Sequence, residues 1–206
     1  MLTLAIDCAT EACSVALFAD NELLAGELRL LGRGHAEQLV PMIAALPGHG
    51  KAQRIAVALG PGSFTGVRVG LAAARALAFA WNAELLGYPT LSLIAAMARR
   101  EHEHSPLGVA MTGGHGEWFV QRFTADGMAA EGLASRQPVD AADHIGEVLV
   151  AGSQARALVA LRGHGDAREI LPDARAVNLL AQDILTHDVR PIYGRAPDAR
   201  LPIGAA

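Results

Sequence analysis

Few residues of this chain have the type and spacing for chemistry, and many of those fall in one loop, Gly60-Pro61-Gly62-Ser63-Phe64-Thr65-Gly66. The apolar run Ile55-Ala56-Val57-Ala58-Leu59 before it has the length and composition of a buried strand. The alanine-rich segment after it, Val67 to Trp81, places Val67, Gly70, Leu71, Ala74, Ala78 and Trp81 on one helical stripe. The loop is therefore a strand-to-helix turn. Its glycines open backbone conformations closed to other residues, and Ser63 and Thr65 both suit a helix N-cap. A helix start offers unpaired N–H groups and partial positive charge, so the turn can hold an anion such as phosphate. It lacks the lysine of a Walker A loop and has one residue too many between its glycines for the dinucleotide pattern. Glu84 begins the next apolar run rather than ending it, where a ribose-binding acid belongs. An anion site and a purely structural turn both remain open.

The other candidates are isolated. His35 is the histidine best placed for a ligand role, at the start of a helical segment, but the position four residues on is Leu39. Two imidazoles on one helix face can grip an ion; one does not make a site. His102 and His104 read as solvated boundary residues. Cys8 and Cys13, five apart, match no metal or redox spacing and read as small buried thiols, with a meeting across a hairpin as the alternative. No Ser or Cys has a His and an acid within motif reach, so a nucleophilic triad is unsupported.

The elements that must position these residues follow from the hydrophobic pattern. Leu2 to Ile6 is short and wholly apolar, as a central strand would be. Strands at Cys13 to Phe18 and Leu23 to Leu31 follow, then a helix from Ala36 to Leu46 with Leu39, Val40, Ile43 and Leu46 on one face and Pro41 inside it. After the Gly-rich turn and its helix come a strand at Glu84 to Tyr88 and a helix from Thr90 to Arg100. The order β-β-β-α-β-α-β-α predicts antiparallel strands extended by parallel ones through crossover helices. This is the order of the ribonuclease-H-like half-domain of actin, sugar kinases and Hsp70 ATPases, and other mixed α/β folds share it.

The polar run Glu101 to Pro106 marks a lobe boundary, giving lobes at 1–104 and 105–206. Beyond it the pattern partly repeats: strands at Leu107 to Met111, Trp118 to Phe123 and Gly132 to Ser135, a strand at Val148 to Ala151 running into a helix to Leu161, and a last helix at Ala176 to Leu185. Such a repeat suits a two-lobed ASKHA (actin-like ATPase) fold with a reduced second lobe. The tail from Pro191 to Ala206 is expected to be extended. In ASKHA kinases an acid at the end of the first strand handles phosphate and magnesium. Asp7 stands there, followed by Thr10, and its alternative role is to cap the hairpin turn. Asp7, Thr10, Gly62, Ser63 and Thr65 form the candidate nucleotide or anion loop. Thr112-Gly113-Gly114, at the matching place in the second lobe, carries no acid. A complete ATP-hydrolysing site needs acids to hold the metal, so none is expected within this chain.

At 206 residues, 51% hydrophobic and 18% charged, the chain is globular. Its net charge of -4 argues against its being the main holder of nucleic acid. No apolar run is long enough to span a membrane, and the start lacks the basic segment and cleavage site of a signal peptide, so a cytoplasmic location is expected. What remains is a surface. On the Val67 to Trp81 helix, Leu77 and Phe79 lie off the main stripe beside Ala72, Ala73 and Ala76, while Gly70, Ala74 and Ala78 would let another helix approach closely. A helix apolar nearly all round must be covered on both sides.

Ala58-Leu59-Gly60-Pro61-Gly62-Ser63-Phe64-Thr65-Gly66-Val67-Arg68-Val69-Gly70 closely resembles the signature of the TsaB (YeaZ) family. The resemblance extends to Leu4 to Leu17, His35-Ala36-Glu37-Gln38-Leu39, Gly87-Tyr88-Pro89-Thr90-Leu91 and, more loosely, Pro191-Ile192-Tyr193-Gly194-Arg195. It departs at Thr112, where relatives carry an Asp-Ala-Arg type sequence, and in a short Pro47 to Arg54 connection. The resemblance implies a non-catalytic partner that pairs with TsaD through the two helices. TsaD transfers threonylcarbamoyl to a tRNA adenosine beside the anticodon, and the ATPase TsaE joins the pair. It places His35, Leu39, Met42, Ile43, Gly70, Leu71, Ala74, Arg75 and Ala78 at the interface. It implies no metal and no cofactor of the chain's own, with ATP or ADP at the junction with the partner and tRNA met mainly through the complex. The alternatives are a stand-alone ASKHA ATPase or kinase, a glycoprotease-like metalloenzyme, and a homodimer using the same helices.

Overall fold

The computed structural model describes residues 1–102 and 104–194, and everything below refers to these. Glu103, in the boundary run, and the expected extended tail from Arg195 onward lie outside them. Leu2–Asp7 forms β1, the central strand its apolar run predicts, with every residue after Leu2 buried. Ala12–Ala19 (β2) pairs antiparallel to it with Ile6 opposite Val15, and Glu22–Leu30 (β3) pairs with β2 at the sheet edge. On the other side Arg54–Ala58 (β4) runs parallel to β1, and Glu84–Tyr88 (β5) parallel to β4. The sheet order is β3-β2-β1-β4-β5, antiparallel strands extended by parallel ones through crossover helices as predicted. Helix His35–Ala45 (α1) makes the crossover into β4, and helix Phe64–Trp81 (α2) the next one into β5.

Helix Thr90–Arg99 (α3) leads from the first sheet to the second. There Leu107–Thr112 (β6) pairs antiparallel with Trp118–Phe123 (β7) and parallel with Leu149–Ala151 (β9). Ala134–Arg136 (β8) and Asp166–Arg168 (β10) close the edges of a sheet ordered β10-β9-β6-β7-β8. Alternate residues of β6 serve opposite faces, as a strand requires. Leu107, Val109 and Met111 meet Leu91, Ile94 and Ala98 of α3. Ala110 meets Ala141 of helix Pro138–His144 (α4) and Leu158 of helix Ala155–Arg162 (α5).

Three differences from the sequence reading stand out. Helix α4 and strand β10 go unforeseen, because seven and three residues are too few to show a period. The third strand of the second lobe starts later than predicted, at Ala134. The predicted last helix, Ala176 to Leu185, is instead two 3-10 turns, Ala174–Leu179 and Gln182–Ile184, with Leu180 extended between them. Side chains claim the donors at its start: Ser14 Oγ accepts from the Ala174 N–H at 2.9 Å and Asp173 Oδ1 from the Arg175 N–H at 2.9 Å. Burial of Ala174, Ala176, Val177 and Leu180 on the first sheet then fixes the path. The chain thus returns to its first lobe after completing the second. No helix among the described residues is long and apolar enough to cross a membrane.

Candidate interlobe cleft and docking face

The Gly-rich turn predicted between β4 and α2 is present, and its glycines answer to packing. A Cβ on Gly62 would lie 2.0 Å from the Ala9 carbonyl oxygen, and one on Gly66 2.0 Å from that of Cys8. Both positions let the turn press against the β1–β2 hairpin, where the Ser63 N–H donates to the Ala9 carbonyl at 2.7 Å. Ser63 caps α2 as expected: its Oγ accepts from the Gly66 N–H at 3.2 Å, and its carbonyl takes the Val67 N–H at 2.9 Å. Three of the donors that an anion would use are therefore engaged internally.

Asp7 sits beneath this turn, 1% exposed, and does not line the cleft. Its Oδ1 accepts from the Ala9 N–H at 2.9 Å and its Oδ2 from the Tyr88 hydroxyl at 3.2 Å, which is the hairpin-capping role. Burial pushes its pKa up to about 7, the two hydrogen bonds pull it down, and the negative charge of Asp173 adds to the rise. His35, also buried, donates from Nε2 to the Thr10 carbonyl at 2.8 Å and so pins the start of α1 to the hairpin. Cys8 and Cys13 do meet across that hairpin, as buried free thiols with sulfurs 3.4 Å apart.

Between the lobes lies a cavity of about 650 Å³. Thr10, Gly62 and Ser63 line it from the first lobe; Thr112 to His115, Phe119 and Ser153 line it from the second. Thr65 is exposed but does not contribute to the lining. Sequence reasoning missed the aromatic mouth. The Arg68 guanidinium lies 3.4 Å over the Phe64 ring, the Phe64 and Tyr193 centroids are 5.7 Å apart, and Arg68 Nη2 donates to the Tyr193 hydroxyl at 3.0 Å. The returning tail holds Tyr193 there: the Ile192 N–H donates to the Leu59 carbonyl at 2.7 Å, and Arg75 Nη2 to the Val189 carbonyl at 2.8 Å. The resemblance included Phe64, Arg68 and, more loosely, Tyr193, but nothing in it brought the tail to this place. Among the described residues no three His, Cys, Asp or Glu side chains are grouped to hold a metal ion.

The interface residues expected from the sequence need a correction. His35, Leu39, Met42 and Ile43 of α1, and Gly70, Leu71, Ala74 and Ala78 of α2, are buried in the chain's own first lobe. Of the set, Arg75 alone is exposed. The strongest apolar stripe of each helix faces the sheet beneath it, because that burial holds the lobe together. The outward face is the weaker stripe: Ala36, Val40 and Ala44 on α1, with Ala72, Ala76, Phe79 and Ala80 on α2. Val40 is 60% exposed and Phe79 91%. The two helices are in contact, and these apolar residues lie among the exposed Glu37, Pro41 and Arg75.

Comparison with known proteins bears on this arrangement. The family model for TsaD, tRNA N6-adenosine threonylcarbamoyltransferase, matches residues 29–171. The chain is 36% identical over 131 residues to the tRNA threonylcarbamoyladenosine biosynthesis protein TsaB of Escherichia coli K12. The chain belongs to this TsaD-type family, on its TsaB (YeaZ) branch. The match covers 61% of the chain and 56% of the E. coli protein, so the chain spans little more than half of that relative's length. Among solved structures, YeaZ from Pseudomonas aeruginosa superposes with a TM-score of 0.78 at 26% identity, covering 93% of this chain and 99% of that one. The ethanolamine utilization protein EutJ from Carboxydothermus hydrogenoformans, at TM-score 0.51 and 12% identity over 88% of this chain and 90% of its own, shares the fold alone. The architecture of this TsaB-family chain is the two-lobed ASKHA type expected from its element order.

Proposed function

We propose that this chain is the non-catalytic partner of a TsaD-type protein, acting in threonylcarbamoyl transfer to the tRNA adenosine beside the anticodon. The observation that carries the reading is the exposed apolar face shared by α1 and α2. Phe79, 91% exposed, and Val40, 60% exposed, flank alanines that allow another helix to come close. A TsaD-type partner of the same fold would present two helices in the corresponding place, giving a four-helix contact. The accessory role draws support from Asp7, which is committed to the hairpin and to Tyr88 and does not line the cleft. The named role of the E. coli relative in threonylcarbamoyladenosine biosynthesis supports the pathway. A TsaE-type ATPase would join the assembled pair, with ATP or ADP at the junction, and tRNA would be held mainly by the complex.

The test is co-purification of this chain with the TsaD-type protein of the same cell, followed by assay of threonylcarbamoyl transfer to tRNA. A stable complex whose transfer activity depends on added chain is the expected result. Transfer that proceeds equally well without the chain, or a tight homodimer that the TsaD-type protein does not break, overturns it.

A further inference from the structure

We propose that Cys8 and Cys13 are a redox modification site, which the folded chain closes reversibly into one disulfide with a peroxide as the oxidant. This is independent of the pairing proposed above. The pair follows no sequence motif because its meeting is made across the β1–β2 hairpin. The ladder of β1 and β2 ends with Asp7 opposite Ser14, so one step further places Cys8 opposite Cys13. Directly opposed residues of antiparallel strands hold their Cα atoms about 4.5–5.5 Å apart, inside the span of about 4.4–6.8 Å that a disulfide bridges. The two sulfurs are already 3.4 Å apart, and they are the chain's only cysteines. Closing them to a bond of about 2.05 Å takes small side-chain rotations and no change of register.

The surroundings favour a bond within this pair. Both residues are buried, so the sulfur of a second chain cannot reach either one. Cys8 packs against α2 at Gly70, where a Cβ would stand 3.6 Å from that of Cys8. The Cys8 thiol, donating to Cys13, pulls the Cys13 thiol below its ordinary range against the effect of burial, and the charge of Arg29 helps. A thiolate is the form that attacks, which assigns the first step to Cys13. Its sulfur takes one oxygen of hydrogen peroxide and becomes a sulfenic acid, and the hydroxide released picks up a proton as water. Cys8 then attacks the sulfenic sulfur: the S–S bond forms, the S–O bond breaks and a second water leaves. In sum two thiols lose two electrons and two protons, and one peroxide becomes two waters. Hydrogen peroxide is small enough to enter through a local opening of the hairpin. The hairpin so closed supports the starts of both helices: His35 of α1 is bonded to the Thr10 carbonyl, and Ser63, the cap of α2, to that of Ala9.

The test treats the folded full chain with hydrogen peroxide and then alkylates it in denaturant. Neither cysteine should alkylate before dithiothreitol, and both should afterwards. The tryptic fragment from Met1 to Arg29, which holds both, should carry a Cys8–Cys13 crosslink. The melting temperature should rise by about 5 °C on oxidation. Cys8→Ala and Cys13→Ala should each gain nothing from the same treatment, whatever their starting stability. Repeating the oxidation in low urea separates the folded pair from the unfolded chain, and a rate insensitive to urea is expected. A rate that climbs with the unfolded fraction overturns the proposal. So do thiols that persist, oxygen added at either sulfur without a crosslink, covalent dimers, or a melting temperature that does not rise.

Discussion

Asp7 shows how one buried carboxyl links pH to stability. Its folded pKa is raised from 3.8 to about 7, chiefly by burial. Below pH 4 the group is protonated whether the chain is folded or not, and stability is unaffected. Between about 4 and 7 the unfolded chain releases the proton and the folded one keeps it, so stability falls as pH rises. Above about 7 the loss is complete, on the order of 4 kcal/mol. Asp7→Asn should remove this slope while keeping the geometry, since an amide can accept from Ala9 and donate to the Tyr88 oxygen, which itself donates to the Ile6 carbonyl. Urea titrations of both proteins at pH 5 and pH 8 check it: the variant should gain relative to wild type at the higher pH, and parallel profiles would sink the idea. The glycines allow a second contrast at this scale. Gly62→Ala drives a methyl into the Ala9 carbonyl and should cost about 3 kcal/mol or more. Gly114→Ala, with nothing within 4 Å, should change stability little. Equal melting temperatures for the two variants would mean that the turn yields at Gly62.

At the scale of the element, α2 explains what was readable in the sequence and what was not. The strand before it, the serine cap and the helix itself follow from apolar runs and a period near 3.6. The direction of its faces does not, because periodicity reports which residues are buried without saying against what. Gly70, Ala74 and Ala78 fit a close helix contact and a close sheet contact equally well, and the sheet takes them. The fainter stripe of Ala72, Ala76 and Phe79 is left exposed. The cleft was legible in Thr10, Gly62 and Ser63 on the first-lobe wall and in Thr112 to Gly114 on the second; its aromatic mouth was not. Tyr193 lies about 130 residues beyond Phe64, and that meeting is made by the tail, which no local pattern encodes. Two glutamates separate the faces of α2. Ala74→Glu buries an unpaired charge and should abolish the cooperative unfolding transition. Ala76→Glu should leave the melting temperature within a few degrees of wild type and abolish co-purification with the TsaD-type protein. If the second variant also fails to fold, the outer stripe belongs to the core.

The whole molecule is tied together by elements that serve the lobe they do not follow in sequence. α3 comes directly after β5, yet Leu91, Ile94 and Ala98 are buried against the second sheet. The segment after β10 returns to the first sheet and buries Ala174, Ala176, Val177 and Leu180 there. At its end, Ile192 bonds to Leu59, and Gly194 lies so close to Phe119 that a Cβ would approach that ring to 2.3 Å. A division near residue 104 suits the two sheets but leaves each lobe without part of its cover. We therefore propose that the lobes unfold as one unit. A fragment of residues 1–104 should expose both the α3 face meant for β6 and the sheet surface meant for the returning segment. It should bind a hydrophobic dye and melt without cooperativity, whereas the full chain should show one calorimetric transition seen alike by Trp81 in the first lobe and Trp118 in the second. Adding residues 105–206 in trans should restore the sharp transition if the missing cover is the cause. Two separate transitions in the full chain, or a fragment that melts cooperatively by itself, would mean that the crossing contacts are decoration on independently stable lobes.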